Sequence, residues 1–374
     1  MQSSSFSILL FLLLLPISSS ALPQKTEVKI GVIAPLTLGN SERGQDIVNT
    51  LTLLGEEFSK TSSKYLYKFI FEDGQCGVGS VATTAAQKLI NIDKVQFLIT
   101  GCSGETLQAG AISERSSVLT FAVFASHPDV KKLGRFIFRT FPDQELSVAI
   151  IAKEATCLDL KDIALITEEN PFTQAIKSLL VEILGDRIRV SEDFLPESAD
   201  FRAILSKMSA SKPKVFYFMA ASPSTLGHLV KQAHALGLHL PRYAFLHPDD
   251  AAFKQIAGSS AEGLKYLGVP EKGASTKEFE MFMDSFRNRF GKPHLEFLVR
   301  TTYDALTSIN AGIESQGPDP LKVRDFLQSY RSKGATGEIS FDDAGDLRGL
   351  QYVLKEVASN GETKEITPCS KTPP

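Results

Sequence analysis

Residues 99–106 read ITGCSGET and close VQFLITG (95–101), an apolar run of the kind that forms a buried strand. A strand that stops at glycine, cysteine and serine and then opens a helix leaves backbone N–H groups free at the helix start. That arrangement serves three chemistries: a nucleophile, a phosphate cradle or a seat for a carboxylate. Upstream, VKIGVIA (28–34) precedes a helical pattern over 43–59, and YKFIFED (67–73) precedes one over 80–91. Downstream, a helix over 105–115 leads to VLTFAVF (118–124) and then to FIFRTF (136–141). Continuous apolar strands separated by amphipathic helices predict a parallel sheet covered on both faces.

The alternation restarts after residue 142. Helices are expected over 146–155, from Pro171, over 202–209 and over 225–236, and they separate DIALITE, RIRVSEDFL, KVFYFMA and YAFLH. EGLKYLGV (262–269) ends this half, three helices follow over 277–289, 296–315 and 320–330, and short strands close the chain. The pattern predicts an α/β protein of two doubly wound, Rossmann-like lobes. Three chain crossings, near 141–143, 269–273 and 341–343, would join them as a hinge. The expected division is 22–142 with 272–341 for the first lobe and 143–271 with 342–368 for the second, leaving 369–374 as a tail.

A formal charge of −3 and 22% charged residues give no basic surface for nucleic acid. The apolar stretch from Ile8 to Ile17 is too short to span a bilayer, and Ser19 and Ala21 follow it at the spacing of a signal-peptidase site. Residues 1–21 therefore read as a signal peptide, although no Lys or Arg precedes the apolar run. Export permits disulfides. Cys76 and Cys102 each lie just beyond a predicted strand, and neighbouring strands would bring their sulfurs together. Cys157 reads as a buried thiol, and Cys369 belongs to the tail.

In such sheets ligands bind beyond the carboxyl ends of strands. A nucleophile elbow needs G-x-S-x-G, but the fifth position, counting Gly101 as the first, is Glu105, and the histidines suggest no triad. No phosphate-binding glycine motif and no metal-ligand spacing occur, so neither cofactor nor metal is expected. A carboxylate seat at Ser103 remains, alongside the plainer reading in which Ser103 caps its own helix.

The chain resembles the type I periplasmic binding proteins, in particular the leucine/isoleucine/valine-binding branch. The resemblance is carried by KIGVIAPLTLGN with RGQDIVN, FEDGQC with TGCSGET, LVKQAHALGL, AGSSAEGL, TTYDALTSINAGI and TGEISFDDAGDLRG, in family order. It implies a secreted protein that traps an amino acid or related small carboxylate between two lobes for a membrane transporter. A ligand-sensing receptor domain is the alternative, and a hydrolase using Ser103 a remote one. By position, Ser103 would hold the carboxylate and Ser126 would touch both carboxylate and ammonium, while the Phe124 carbonyl and Asp249, in HPDD (247–250), would take the ammonium. Phe172 would cover the ligand where relatives often have tyrosine, and Ser222 stands after a strand where an aromatic is common. Arg43 falls where branched-chain binders place an aromatic, which suggests a ligand with a polar or acidic far end; the plainer reading is a solvated arginine in the first turn of a helix.

Overall fold

The computed structural model describes residues 25–196, 198–270 and 275–369. The expected signal peptide and its cleavage point lie outside these residues. So do residues 271–274 of the second crossing and the tail beyond Cys369.

The first sheet contains β1 (Thr26–Ala34), β2 (Tyr65–Asp73), β3 (Phe97–Cys102), β4 (Leu119–Phe124) and β5 (Ile137–Arg139), all parallel, in the order β2-β1-β3-β4-β5. Helices α1 (Ser41–Thr61), α2 (Val81–Gln87) and α3 (Ser103–Arg115) make its crossovers. β3 and β4 are buried at every position, which their unbroken apolar character required.

The second sheet holds β6 (Ile163–Glu168), β7 (Ile188–Phe194), β8 (Val215–Met219), β9 (Arg242–Phe245) and β10 (Lys265–Gly268). They alternate with α4 (Gln144–Cys157), α5 (Pro171–Leu184), α6 (Arg202–Ala210), α7 (Pro223–Ala235) and α8 (Ala251–Ala257). Then come α9 (Lys277–Phe290), α10 (Glu296–Gln316) and α11 (Pro320–Ser329), and a small hairpin of β11 (Ser332–Lys333) and β12 (Glu338–Ile339). α10 packs on α1 and β4, so this helical block belongs with the first sheet. The chain then returns to the second sheet, where β13 (Val353–Val357) and β14 (Thr363–Glu365) add antiparallel strands at the β10 edge. The order there is β14-β13-β10-β9-β8-β6-β7.

Each sheet has one point where strand order reverses, between β1 and β3 in the first and between β6 and β8 in the second. Such switch points open a crevice at the strand ends. Where the first and third crossings meet, Arg139 is fully buried and ion-paired with Asp143 (2.8 Å) and Asp346.

The cysteine expectations need two corrections. Cys76 and Cys102 are disulfide-bonded, but β2 and β3 are not neighbours, because β1 lies between them. β1 ends at Ala34, and the chain after β2 turns through Gln75 and Cys76, both at positive φ, to reach Cys102. Cys157 is not a thiol: it is bonded to Cys369, with Cα atoms 5.9 Å apart, which fastens the end of the chain to α4.

Candidate functional site

The motif that opened the sequence reading is assembled around Glu105. Its carboxylate accepts from the Cys102 N–H (2.8 Å) and the Cys76 N–H (3.0 Å), tying both halves of the disulfide to the start of α3. Burial pushes this carboxyl up to about 8, against the pull of those two donors. Gly104 is required by close approach, since a Cβ there would lie 2.4 Å from the Cys76 carbonyl oxygen. Cys102, not Ser103, occupies the N-cap position. The Ser103 hydroxyl oxygen accepts from the Ser126 and His127 N–H groups, both at 3.2 Å, and so staples the end of β4 to the start of α3. The Ser126 hydroxyl faces Gln144, whose amide donates to the Phe172 carbonyl at 2.9 Å.

Arg43 is 1% exposed, which rules out a solvated arginine. It sits in the first turn of α1, where Gly44 lets the helix press on the chain leaving β1: a Cβ there would lie 1.9 Å from the Pro35 carbonyl oxygen. Its guanidinium crosses to the other lobe, donating to Asp250 through Nε (3.2 Å) and Nη2 (2.5 Å), and to His247 Nδ1 through Nη2 (2.8 Å). Nη1 donates to Asn40 (3.3 Å), and the plane lies 4.9 Å from the centre of the Phe124 ring. Four of its five N–H groups are thus committed within the protein, so no bidentate grip is left for a second carboxylate.

His247 and the preceding Leu246 both have positive φ, a strained conformation for residues with side chains. His247 Nε2 lies 2.9 Å from the Ala220 carbonyl oxygen, so Nε2 carries the proton and Nδ1 accepts from Arg43. Burial, reinforced by the Arg43 charge, holds the ring well below the usual histidine range, so it is neutral.

These groups enclose a cavity lined by Arg43, the Cys76–Cys102 bridge, Ser103, Phe124, Ser126, Asn170, Phe172, Ala221, Leu246 and His247. The enclosed space has room for a water or two, so a larger occupant requires a wider closed form. A second void adjoins it, bordered by Thr37, Asn40, Gln75, Glu168, Asn170 and Ser222. Across this void the Asn40 amide donates to the Ala221 carbonyl at 3.0 Å.

Five of the expected residues therefore share one cavity: Arg43, Ser103, Phe124, Ser126 and Phe172. Two do not. Ser222 lines the adjoining void and is the N-cap of α7, its hydroxyl accepting from the Thr225 N–H. Asp249 is turned into the second lobe, bonded to Tyr266 (2.7 Å), Thr363 (2.6 Å) and Lys355 (3.0 Å). Lys355 is 1% exposed on β13 and needs a counter-charge there, which is what draws Asp249 away. The residues at the two ends of this turn, His247 and Asp250, bond to Arg43 of the first lobe instead. Sequence reasoning singled out HPDD but could not tell which of its side chains turn inward.

A model of the periplasmic binding protein family matches residues 27–361. The chain belongs to that family. Over 295 residues it is 28% identical to the leucine-, isoleucine-, valine-, threonine- and alanine-binding protein of Pseudomonas aeruginosa, covering 76% of this chain and 77% of that one. In fold it matches a leucine-binding protein, LivK, of Thermotoga maritima with a TM-score of 0.78 at 23% identity, over 91% of this chain and 98% of that one. An ABC transporter solute-binding protein of R. palustris in complex with benzoate gives 0.79 at 17% identity, over 92% and 97%. The resemblance and the two-lobed α/β fold read from the sequence both hold.

Proposed function

We propose that this protein captures an amino acid or related small carboxylate between its lobes, outside the cytoplasm, and presents it to an ABC-type transporter. The observation that carries this reading is the meeting of the two switch points. The strand ends of β3 and β4 bring Ser103, Phe124 and Ser126 to one cavity, and those after β6, β8 and β9 bring Asn170, Phe172, Ala221 and His247. Ser103 stands at a helix start, where a hydroxyl and backbone N–H groups suit a carboxylate. Ligand then stabilises the closed arrangement through contacts unavailable when the lobes part.

Relatives that match most of this chain are named for binding leucine, isoleucine and valine, which supports the same class of ligand here. Export fits the expected signal peptide over 1–21 and the two disulfides. The lobe boundaries expected from the sequence, 22–142 with 272–341 and 143–271 with 342–368, belong to this reading. Binding rather than turnover is supported by Ser103, whose hydroxyl is engaged by backbone amides and not by a histidine ring. A thermal-shift screen over amino acids and small organic acids tests the proposal. A ligand present at a hundred times its Kd stabilises the fold by about 2.7 kcal/mol. If no compound raises the Tm, the reading fails.

A further inference from the structure

We infer that Arg43 is a latch: it closes the cleft through bonds among the protein's own groups, independently of any ligand. The inference goes beyond the capture reading and does not depend on what the cleft takes up. Arg43 projects from α1 in the first lobe, while His247 and Asp250 stand at the two ends of one turn in the second. Both Asp250 oxygens accept from the guanidinium, one from Nε and one from Nη2, and His247 Nδ1 accepts from Nη2 as well. Asn40, just before α1, adds its own bond across the cleft to the Ala221 carbonyl.

A buried ion pair holds two surfaces together only when its geometry replaces the water that both partners lose. Here it does. Arg43 is 1% exposed and Asp250 2%, and the contact between them uses both carboxylate oxygens. Nη1 is bonded to Asn40, and the guanidinium lies over the Phe124 ring. The second lobe also forgoes local stability to make the contact. Asp250 is the N-cap of α8, where an aspartate ordinarily accepts from first-turn amides, yet its side chain makes no such bond. Leu246 and His247 stand at φ 53° and 68°, a costly conformation for residues with side chains. Within that turn, the bond from His247 Nε2 to the Ala220 carbonyl fixes the ring with Nδ1 against Arg43. An uncapped helix and a strained turn are what the cross-lobe bonds offset.

Small-angle scattering tests this on the full mature chain, freed of small molecules by dialysis from guanidinium with its disulfides intact. Mildly alkaline pH keeps His247 neutral throughout. The latch predicts a compact wild type in that state and a larger radius of gyration for Arg43→Ala and for Asp250→Ala. Because the two side chains act as one contact, the double variant should be no larger than either single one. Circular dichroism checks that each variant is folded, and Asp250→Ala, which removes no cap bond, decides the matter if Arg43→Ala fails to fold. A wild type as large as the variants overturns the inference, and so do folded variants as compact as the wild type. Expansion of the double variant by the sum of the two single effects also overturns it. The thermal-shift screen can fail without altering these radii, and the latch can fail while a captured compound still raises the Tm.

Discussion

Arg43 is the residue whose sequence reading and structural role differ most. Its position in the first turn of α1 suggested either a ligand contact or a solvated cation. The structure instead spends it on Asp250 and His247, 207 and 204 residues away in the chain. No local pattern encodes so distant a partner. The same limit explains Asp249: HPDD drew attention to the turn, but nothing local told which of its carboxylates reaches Arg43 and which bonds within the second lobe. Asp249→Ala is expected to act on stability, since it removes the carboxylate that accepts from Lys355, Tyr266 and Thr363. Breaking a buried pair this way costs about 3–5 kcal/mol. Denaturant unfolding should show that loss with ligand affinity little changed, and weakened affinity at unaltered stability would return Asp249 to the cleft. His247 adds a pH dependence. Closed, the ring is held well below its usual value by burial and Arg43; with the lobes parted the Arg43 charge is withdrawn and the ring returns toward the ordinary histidine value. The parted form therefore binds protons more readily as the pH falls. Closure should be at full strength above about pH 6.5 and weaken below it by about 1.4 kcal/mol per pH unit. Asp250, pushed up by burial, binds protons better when closed and opposes this at more acidic pH, so the window opens below about pH 6.5. Small-angle scattering should show the molecule expanding across that window and His247→Gln removing the effect. A flat wild-type profile would contradict it.

Elements were more legible than side chains. The strands announced themselves by unbroken apolar runs, and the helices by amphipathic periodicity between short connections. The three late helices were visible too, because periodic segments without intervening strands have few other readings. What periodicity does not encode is strand order. Sequence adjacency placed β2 beside β3, whereas β1 separates them and the Cys76–Cys102 bridge passes beyond its end. Glu105 was the residue that failed the nucleophile-elbow pattern, and that failure proved informative. A carboxylate there ties the Cys76 and Cys102 amides together at the start of α3. The two disulfides enclose 26 and 212 residues. On the chain-entropy model they are worth roughly 3–4 and 5 kcal/mol. Replacing Cys157 and Cys369 by serine should lower the Tm while sparing ligand affinity, because that bridge lies on α4 outside the cavity lining. Replacing Cys76 and Cys102 should impair both. Equal effects of the two pairs on affinity would show that the first bridge does not shape the site.

At the scale of the whole molecule, two sheets with opposed switch points make a site that neither lobe completes alone. The hinge is stiffened where Arg139 joins Asp143 and Asp346, linking the first and third crossings. Several linked crossings favour opening and closing over free rotation, and the cross-lobe bonds of Arg43 and Asn40 define the closed end of that motion. The duplication of form made this architecture readable from sequence, whereas the contacts that close the cleft were not, since each joins residues contributed by different lobes. The central claim is that a small carboxylate lies buried between those lobes. A crystal structure grown with the tightest-binding compound tests it most directly. The account predicts electron density for the ligand between Ser103 and Ser126 on one side and Phe172 and His247 on the other. Density for that compound outside the cleft, with these four residues untouched, would contradict it.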